Sequence, residues 1–216
     1  MNYTILTCEQ RSPEWFQARL GRLTASVAGK MLAAIKSGEA ADRRNLRVKL
    51  VLERVTGKMQ ENGFTTQAMQ NGIDREPLAR RAYQALVGEL VENTGFVQST
   101  EHMAGCSLDG CVFDRSGRIV KILELKSPEP AAHLSYLRTG VMGASYEAQV
   151  IHSLWITGAQ SCDWMSYQPE FPEHLQAKLI TIPRVEAVIN DYAQKALAFL
   201  AEVDREVAEL QAMRVA

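Results

Sequence analysis

In the stretch "VKILELKSP", residues 120–128, a glutamate and a lysine interrupt a run that otherwise reads as a buried strand. Side chains alternate along a strand, so Val120, Ile122, Glu124 and Lys126 share one face. Upstream, "HMAGCSLDGCVF" (102–113) reads as a second strand, and the intervening "DRSG" is a hairpin signal. A two-residue turn at Ser116 and Gly117 pairs Arg115 with Arg118, and a four-residue loop pairs Asp114 with Ile119. Both set Asp109 opposite Glu124, with Cβ atoms about 5 Å apart. A three-residue loop would shift that register by one, and Gly110 could host a bulge. Two carboxylates so close repel unless a cation lies between them, which Lys126 or a divalent metal could supply. Mg²⁺ prefers a few carboxylate oxygens together with water and substrate phosphate. The plainer alternative is a strand end with solvated acids and a lysine neighbour.

The rest of the chain must hold that hairpin. The start of the chain is expected to be helical: Ser12 can cap, Pro13 suits the first helical position and Gly21 can end the turn after "EWFQARL". "TASVAGKMLAAI" restarts a helix behind Thr24 or Ser26 as cap. Residues 42–56 are amphipathic, with Leu46, Leu50 and Val51 on one side. A longer helical segment spans about 66–86, interrupted by Gly72 and by Pro77, which removes a backbone donor and predicts a kink or a fresh start. Strands are expected at "ELVENTGFVQS", "HMAGCSLDGCVF", "RIVKILELK", "DWMSYQ" and "KLITIP", with a helix over "GASYEAQVIHSLWIT". A long helix from about 184 closes the chain. Its apolar positions Val185, Ile189, Tyr192, Ala196, Phe199, Val203 and Leu210 suit the domain's own core, or else a subunit seam.

With 216 residues, 46% of them hydrophobic, the chain suits one α/β domain, 1–216, with a substantial core. No run of about 18 apolar residues predicts a membrane span. The opening "MNYTILTCEQRSPEW" lacks a secretory pattern, so the cytoplasm is the expected compartment. Cys8, Cys106, Cys111 and Cys162 show no metal spacing and read as idle thiols, and the four histidines form no ligand pattern. The net charge of −1 does not advertise a polyanionic partner. The run "DRRNLRVKLVLERVTGK" (42–58) is basic, which suits either a solvated helix face or a nucleic-acid footprint.

Asp109 followed by "ELK" at 124–126 resembles the signature of the PD-(D/E)xK nuclease superfamily, with "LD" at 108–109 in place of "PD". Three further segments resemble phage λ-type exonucleases, the viral recombinase or alkaline exonuclease group. These are "WFQARLGRLTAS" (15–26), "GIDREPLARRAY" (72–83) and "YEAQVIHSLWITG" (146–158), in order and spacing across roughly residues 13–170. The resemblance implies a restriction-endonuclease-like core, a mixed central β-sheet flanked by helices. It implies a Mg²⁺-dependent 5′→3′ exonuclease, with Mn²⁺ able to substitute, that digests one strand of duplex DNA from its ends. Mononucleotides and a 3′ overhang for recombination by strand annealing would result.

Residue by residue, the resemblance makes Asp109, Glu124 and the Leu125 carbonyl metal ligands, with Glu76 completing or extending the site. Lys126 would orient or deprotonate the attacking water, and Gln149 would help hold water or phosphate. Arg19, Ser26 and Ser107 match a pocket for a terminal 5′-phosphate. Read as ordinary residues, Arg19 is a surface arginine, Ser26 a helix cap and Gln149 a surface amide. Met69 reads as a core residue or as a wedge against the end base pair. A ring-shaped trimer and a single-strand annealing partner belong to the resemblance alone. If Lys126 is the base, nearby cations must lower its pKa from the usual value of about 10.4, and an alkaline optimum follows. The alternatives are a structure- or sequence-specific endonuclease on the same core and a DNA-end-binding module that does not cleave.

Overall fold

The computed structural model describes residues 2–60 and 67–213, with the side chains of residues 67–69, Met69 among them, outside that description. Seven α-helices and eight strands form among these residues. One four-stranded sheet holds β1 (Tyr3–Leu6), β2 (Leu23–Thr24), β3 (Phe96–Ser99) and β4 (Ala104–Cys106) in the order β1-β3-β4-β2. The other holds β5 (Gly110–Phe113), β6 (Ile119–Lys126), β7 (Ser161–Tyr167) and β8 (Ala177–Pro183) in sequence order. Both are mixed, with β2–β4 and β6–β7 parallel and the other pairings antiparallel. The expected α/β class holds, with the strands divided between two sheets. The start of the chain is a strand rather than helix, because β1 finds a partner in β3 some ninety residues away.

The helices are α1 (Pro13–Arg19), α2 (Ala28–Met31), α3 (Ala41–Thr56), α4 (Gln67–Val87), α5 (Pro130–Thr139), α6 (Glu147–Thr157) and α7 (Glu186–Ala212). Ser12 caps α1 as expected, its hydroxyl accepting from the Trp15 amide at 3.2 Å. Neither Thr24 nor Ser26 caps a helix, since a short 3-10 turn over Ala25–Val27 intervenes before α2. Pro77 is carried inside α4 as one continuous element. Its ring takes away a single donor, and burial of Ala79 and Tyr83 against the sheet compensates.

The β5–β6 hairpin reaches the expected register by an unexpected route. The turn has three residues, Arg115–Gly117, closed by the Asp114 amide donating to the Arg118 carbonyl at 2.9 Å. Gly117 takes φ +78°, and Asp114 Oδ1 accepts from the Ser116 and Arg118 amides. Such a turn moves the pairing by one residue. A bulge next to Phe113 moves it back: Phe113 faces Ile119, Val112 faces Lys121 and Val120 has no counterpart. Beyond the bulge Cys111 faces Ile122 and Gly110 faces Leu123, so one further step sets Asp109 opposite Glu124.

Strand β6 is covered on both faces. Ile122 joins the larger core with Val150, Leu154 and Trp155 of α6, while Leu123 and Leu125 pack with Ala79 and Tyr83 of α4. Helix α7 buries Ile189, Tyr192, Ala196, Phe199, Leu200 and Val203 in the domain's own core, with Leu46, Leu50 and Val51 of α3. Val185 and Leu210 stay exposed. The basic run on α3 is largely consumed in the same contact. Arg43 pairs with Glu39 at 2.7 Å and Glu202 at 2.8 Å, Arg47 with Glu39 at 2.7 Å and with Glu206, and Arg54 with Asp204. No helix among the described residues is long and apolar enough to cross a membrane.

His152 ties α6 to the first sheet and to α7. Nε2 lies 3.0 Å from the Gly105 carbonyl, which can only accept, so Nε2 carries the proton. Nδ1 then accepts from the Tyr192 hydroxyl at 2.7 Å. Burial pushes the imidazole pKa down to about 4, against the pull of the Gly105 carbonyl. A pKa lower in the folded than the unfolded state stabilises the fold above about pH 6.5, and the contribution is lost as pH falls toward 4. Between pH 6.5 and 5 the loss from this residue is about 2 kcal/mol. His152→Gln is expected to start less stable and to show a correspondingly shallower acid-side fall in urea denaturation. A parallel fall in both proteins would show that His152 does not titrate this way.

Candidate active site

Glu124 lies near the end of β6 and is 3% exposed. Its Oε1 accepts from Lys126 Nζ, two residues on, and from Gln149 Nε2 of α6 at 2.6 Å. Asp109, just before β5, crosses to β6, its Oδ2 accepting the Leu125 amide at 2.7 Å. A strand residue's amide and carbonyl point to the same side, so the Leu125 carbonyl also faces the Asp109 edge. Glu124 Oε2 and Asp109 Oδ1 accept no hydrogen bond among the described residues.

Glu76 comes from α4. Spacings of three and seven put it on the helix face that carries Ala79 and Tyr83, both fully buried against β6 and β7. Arg80, one turn on, donates to Glu76 at 2.8 Å. Burial raises the Glu76 pKa and the Asp109 charge raises it further, while Arg80, Arg11 and Lys126 pull it down. Burial likewise raises Glu124, opposed by Lys126 and reinforced by Asp109 and Glu76. Lys126 loses some of its charge preference to burial, yet Glu124 and Asp109 outweigh that loss and its pKa ends above the usual lysine value. These two carboxylates make the lysine hold its proton more tightly. The ammonium also stands 5.4 Å from the centre of the Tyr146 ring.

A second cluster adjoins the first. Arg19 Nη1 lies 3.5 Å from Ser107 Oγ and Nη2 3.3 Å from Ser26 Oγ, so the three expected phosphate-pocket residues do converge. Trp15 and Thr24 belong to the cluster and were not anticipated. The Trp15 indole donates to Ser107 at 2.8 Å and its ring carries the Arg19 guanidinium at 4.1 Å, while Thr24 bonds Ser26 at 3.2 Å. Arginine on an indole face shows in sequence only as a W-x₃-R spacing on one helix, a weak signal by itself. A cleft of about 300 Å³ lined by Ser26, Lys30, Ser145 and Gln149 joins this cluster to the Glu124 side chain's partner. The Met69 side chain lies outside the described part of the structure.

The oxygen donors suit a hard cation. Among the described residues no three His, Cys, Asp or Glu side chains converge into a metal cage. Two carboxylates with a free oxygen each, near one backbone carbonyl, fit an ion such as Mg²⁺ that takes its remaining oxygens from water and phosphate. Burial raises the pKa values of the Cys106, Cys111 and Cys162 thiols.

A mixed sheet whose buried strand ends in Glu-Leu-Lys across from an aspartate defines the PD-(D/E)xK nuclease fold. Residues 14–160 match the YqaJ-like viral recombinase domain, and the chain belongs to that family. The alkaline exonuclease LHK-Exo from Laribacter hongkongensis is 33% identical, with a TM-score of 0.80 over 93% of this chain and 96% of that one. The same exonuclease in complex with dAMP gives 0.82 at the same identity and coverage. A phage-related exonuclease from Haemophilus somnus 129PT, 14% identical over 88% of this chain and 96% of that one, has a TM-score of 0.65, a likeness of fold alone. No curated protein matches the chain in sequence.

Helix α4 is held to the sheet by a buried polar contact. The Tyr83 hydroxyl donates to Asp163 at 2.6 Å, Thr181 donates to the same carboxylate at 2.6 Å, and Lys121 stands 3.6 Å away. Removing one donor from a buried carboxylate costs about 1–3 kcal/mol. Tyr83→Phe is therefore expected to lower the urea midpoint with an unchanged slope. An unchanged midpoint would mean that the bond does not hold α4 in place.

Proposed function

We propose that this protein is a Mg²⁺-dependent 5′→3′ exonuclease that digests one strand of linear duplex DNA from its ends. It would release mononucleotides and leave a 3′ single-stranded overhang for recombination by strand annealing. The observation that carries the reading is the approach of Asp109 to β6 beside Glu124, with Lys126 and Gln149 on the same carboxylate. The kinship with an alkaline exonuclease at 33% identity supports it.

Asp109, Glu124 and the Leu125 carbonyl would hold the metal, with Glu76 completing or extending the site. Mg²⁺ would supply Lewis-acid stabilisation of the scissile phosphate oxygens and activation of water, and Mn²⁺ would substitute. Gln149 fixes the Glu124 carboxylate, so that its free oxygen keeps one orientation. Lys126 places a positive charge at the edge of an acidic wall that must receive a polyanion, which restrains repulsion and orients the attacking water. Arg19, Ser26 and Ser107 present a guanidinium and two hydroxyls toward a terminal 5′-phosphate, with the Trp15 face limiting how Arg19 can swing. Cleavage at an end rather than within a strand follows from that pocket. The reading includes a ring-shaped homotrimer, a single-strand annealing protein as partner and the cytoplasm as the place of action.

The test is digestion of linear duplex DNA with Mg²⁺, comparing 5′-phosphate with 5′-hydroxyl ends. Wild type is expected to release mononucleotides faster from the phosphorylated end, and EDTA to stop it. Gln149→Leu should lose roughly 10–100-fold, as outer partners of metal ligands do, and Glu124→Ala still more. Tight binding with no degradation in Mg²⁺ or Mn²⁺ would overturn the exonuclease reading in favour of a DNA-end-binding module. Internal cuts indifferent to the end would favour an endonuclease.

A further inference from the structure

Among the described residues Arg11 is the one non-glycine with positive φ, at +72°. A β-carbon makes this region costly, and glycine would occupy it without strain. Both neighbours of Arg11 are tied down. On one side Gln10 Nε2 donates to the Leu108 carbonyl at 3.0 Å, next to Asp109, and to the Thr94 carbonyl at 3.5 Å. On the other, Ser12 caps α1, the helix that carries Trp15 and Arg19, and its amide donates to the Glu9 carbonyl at 3.1 Å. The loop thus bridges the entry to Asp109 and the Arg19 cluster, and Arg11 is the strained residue at its middle.

Arg11 is exposed and makes no hydrogen bond or ion pair among the described residues. Arg75 and Arg80 of α4, by contrast, are engaged with Gln168, Glu170 and Glu76. An exposed, unpaired guanidinium held on an unfavourable backbone conformation contributes nothing to the fold that glycine would not provide better. Backbone strain of this kind is kept where the side chain it aims has work outside the fold.

We propose that Arg11 is a substrate-contact residue, its guanidinium taking a phosphodiester oxygen of the DNA strand as it passes between the Asp109 edge and the Arg19 cluster. The assignment rests on the nuclease reading for its substrate. It makes Arg11 a residue of strand grip rather than of bond cleavage.

The variant that separates function from fold is R11G, because glycine relieves the strain while removing the charge. The dissociation constant of a 5′-phosphorylated duplex is measured by fluorescence anisotropy in EDTA at several salt concentrations, and kcat in Mg²⁺. R11G is expected to bind more weakly, to flatten the plot of log affinity against log salt by about one unit, and to leave kcat unchanged. Its thermal midpoint should equal or exceed that of wild type. Should R11G alter folding, R11Q keeps the bulk, drops the charge and must show the same flattening. Equal affinity and equal slope in R11G and R11Q would overturn the assignment. Wild type that binds DNA without degrading it would defeat the exonuclease reading and leave the Arg11 slope still decisive. Wild type that does not bind DNA would defeat both.

Discussion

A carboxylate that is almost wholly buried is the constraint around which this fold is arranged. Removing Glu124 from water is costly unless its lone pairs are met by donors and its charge by a cation. Lys126 arrives with the strand itself, because two residues on is the same face. Gln149 arrives only because α6 crosses over the sheet between the parallel strands β6 and β7 and lays its first turns against the end of β6. The crossover that makes the sheet parallel there also delivers the side chain that satisfies its buried acid. One oxygen of Glu124 is thereby fixed and the other left open beside Asp109.

The open oxygen matters only if Asp109 is in register, and register is a collective property of the hairpin. The three-residue turn and the bulge next to Phe113 are each a departure from regular pairing, and they cancel. Had one occurred without the other, every side chain from Asp109 onward would face the opposite side of the sheet. On the other face, Leu123 and Leu125 alternate with Glu124 and Lys126 and seat α4, the helix that carries Glu76. The period of two along β6 therefore sends Ile122 and Glu124 toward α6 and Leu123 and Leu125 toward α4, and both faces are buried.

Much of this could be read from the residues. The alternation in "VKILELK" gives the face, the turn signal gives the partner strand, and the Asp109–Glu124 opposition follows from either turn length that keeps regular pairing. The compensation of turn by bulge was not legible, because a bulge answers to twist and packing rather than to any residue type nearby. The first strand was missed because "YTIL" is four residues whose partner lies in β3. The helix Pro130–Thr139 was missed because "SPEPA" signals a turn before it signals a helix start, although Pro130 occupies a first-turn position that proline tolerates. The Trp15 contribution depends on Ser107, 92 residues away, which local periodicity does not reach.

Charge shows the same limit in sharper form. The densest basic run in the chain lies on α3, and its local sequence contains too few acids to neutralise it. Those acids come instead from Glu39 ahead of the helix and from Glu202, Asp204 and Glu206 on α7, which packs against α3 through Leu46, Leu50 and Phe199. Once paired, these arginines lend little field to a distant phosphate, since each guanidinium is already met by a carboxylate a few ångströms away. Arg11 sits in a stretch where acids are just as common, between Glu9 and Glu14, and would be judged neutral by any sequence window. In space neither of those carboxylates pairs with it. A cation's availability to a polyanion is therefore decided by tertiary pairing and backbone conformation, and the fold withdraws most of the basic residues that look available while leaving an inconspicuous one unpaired.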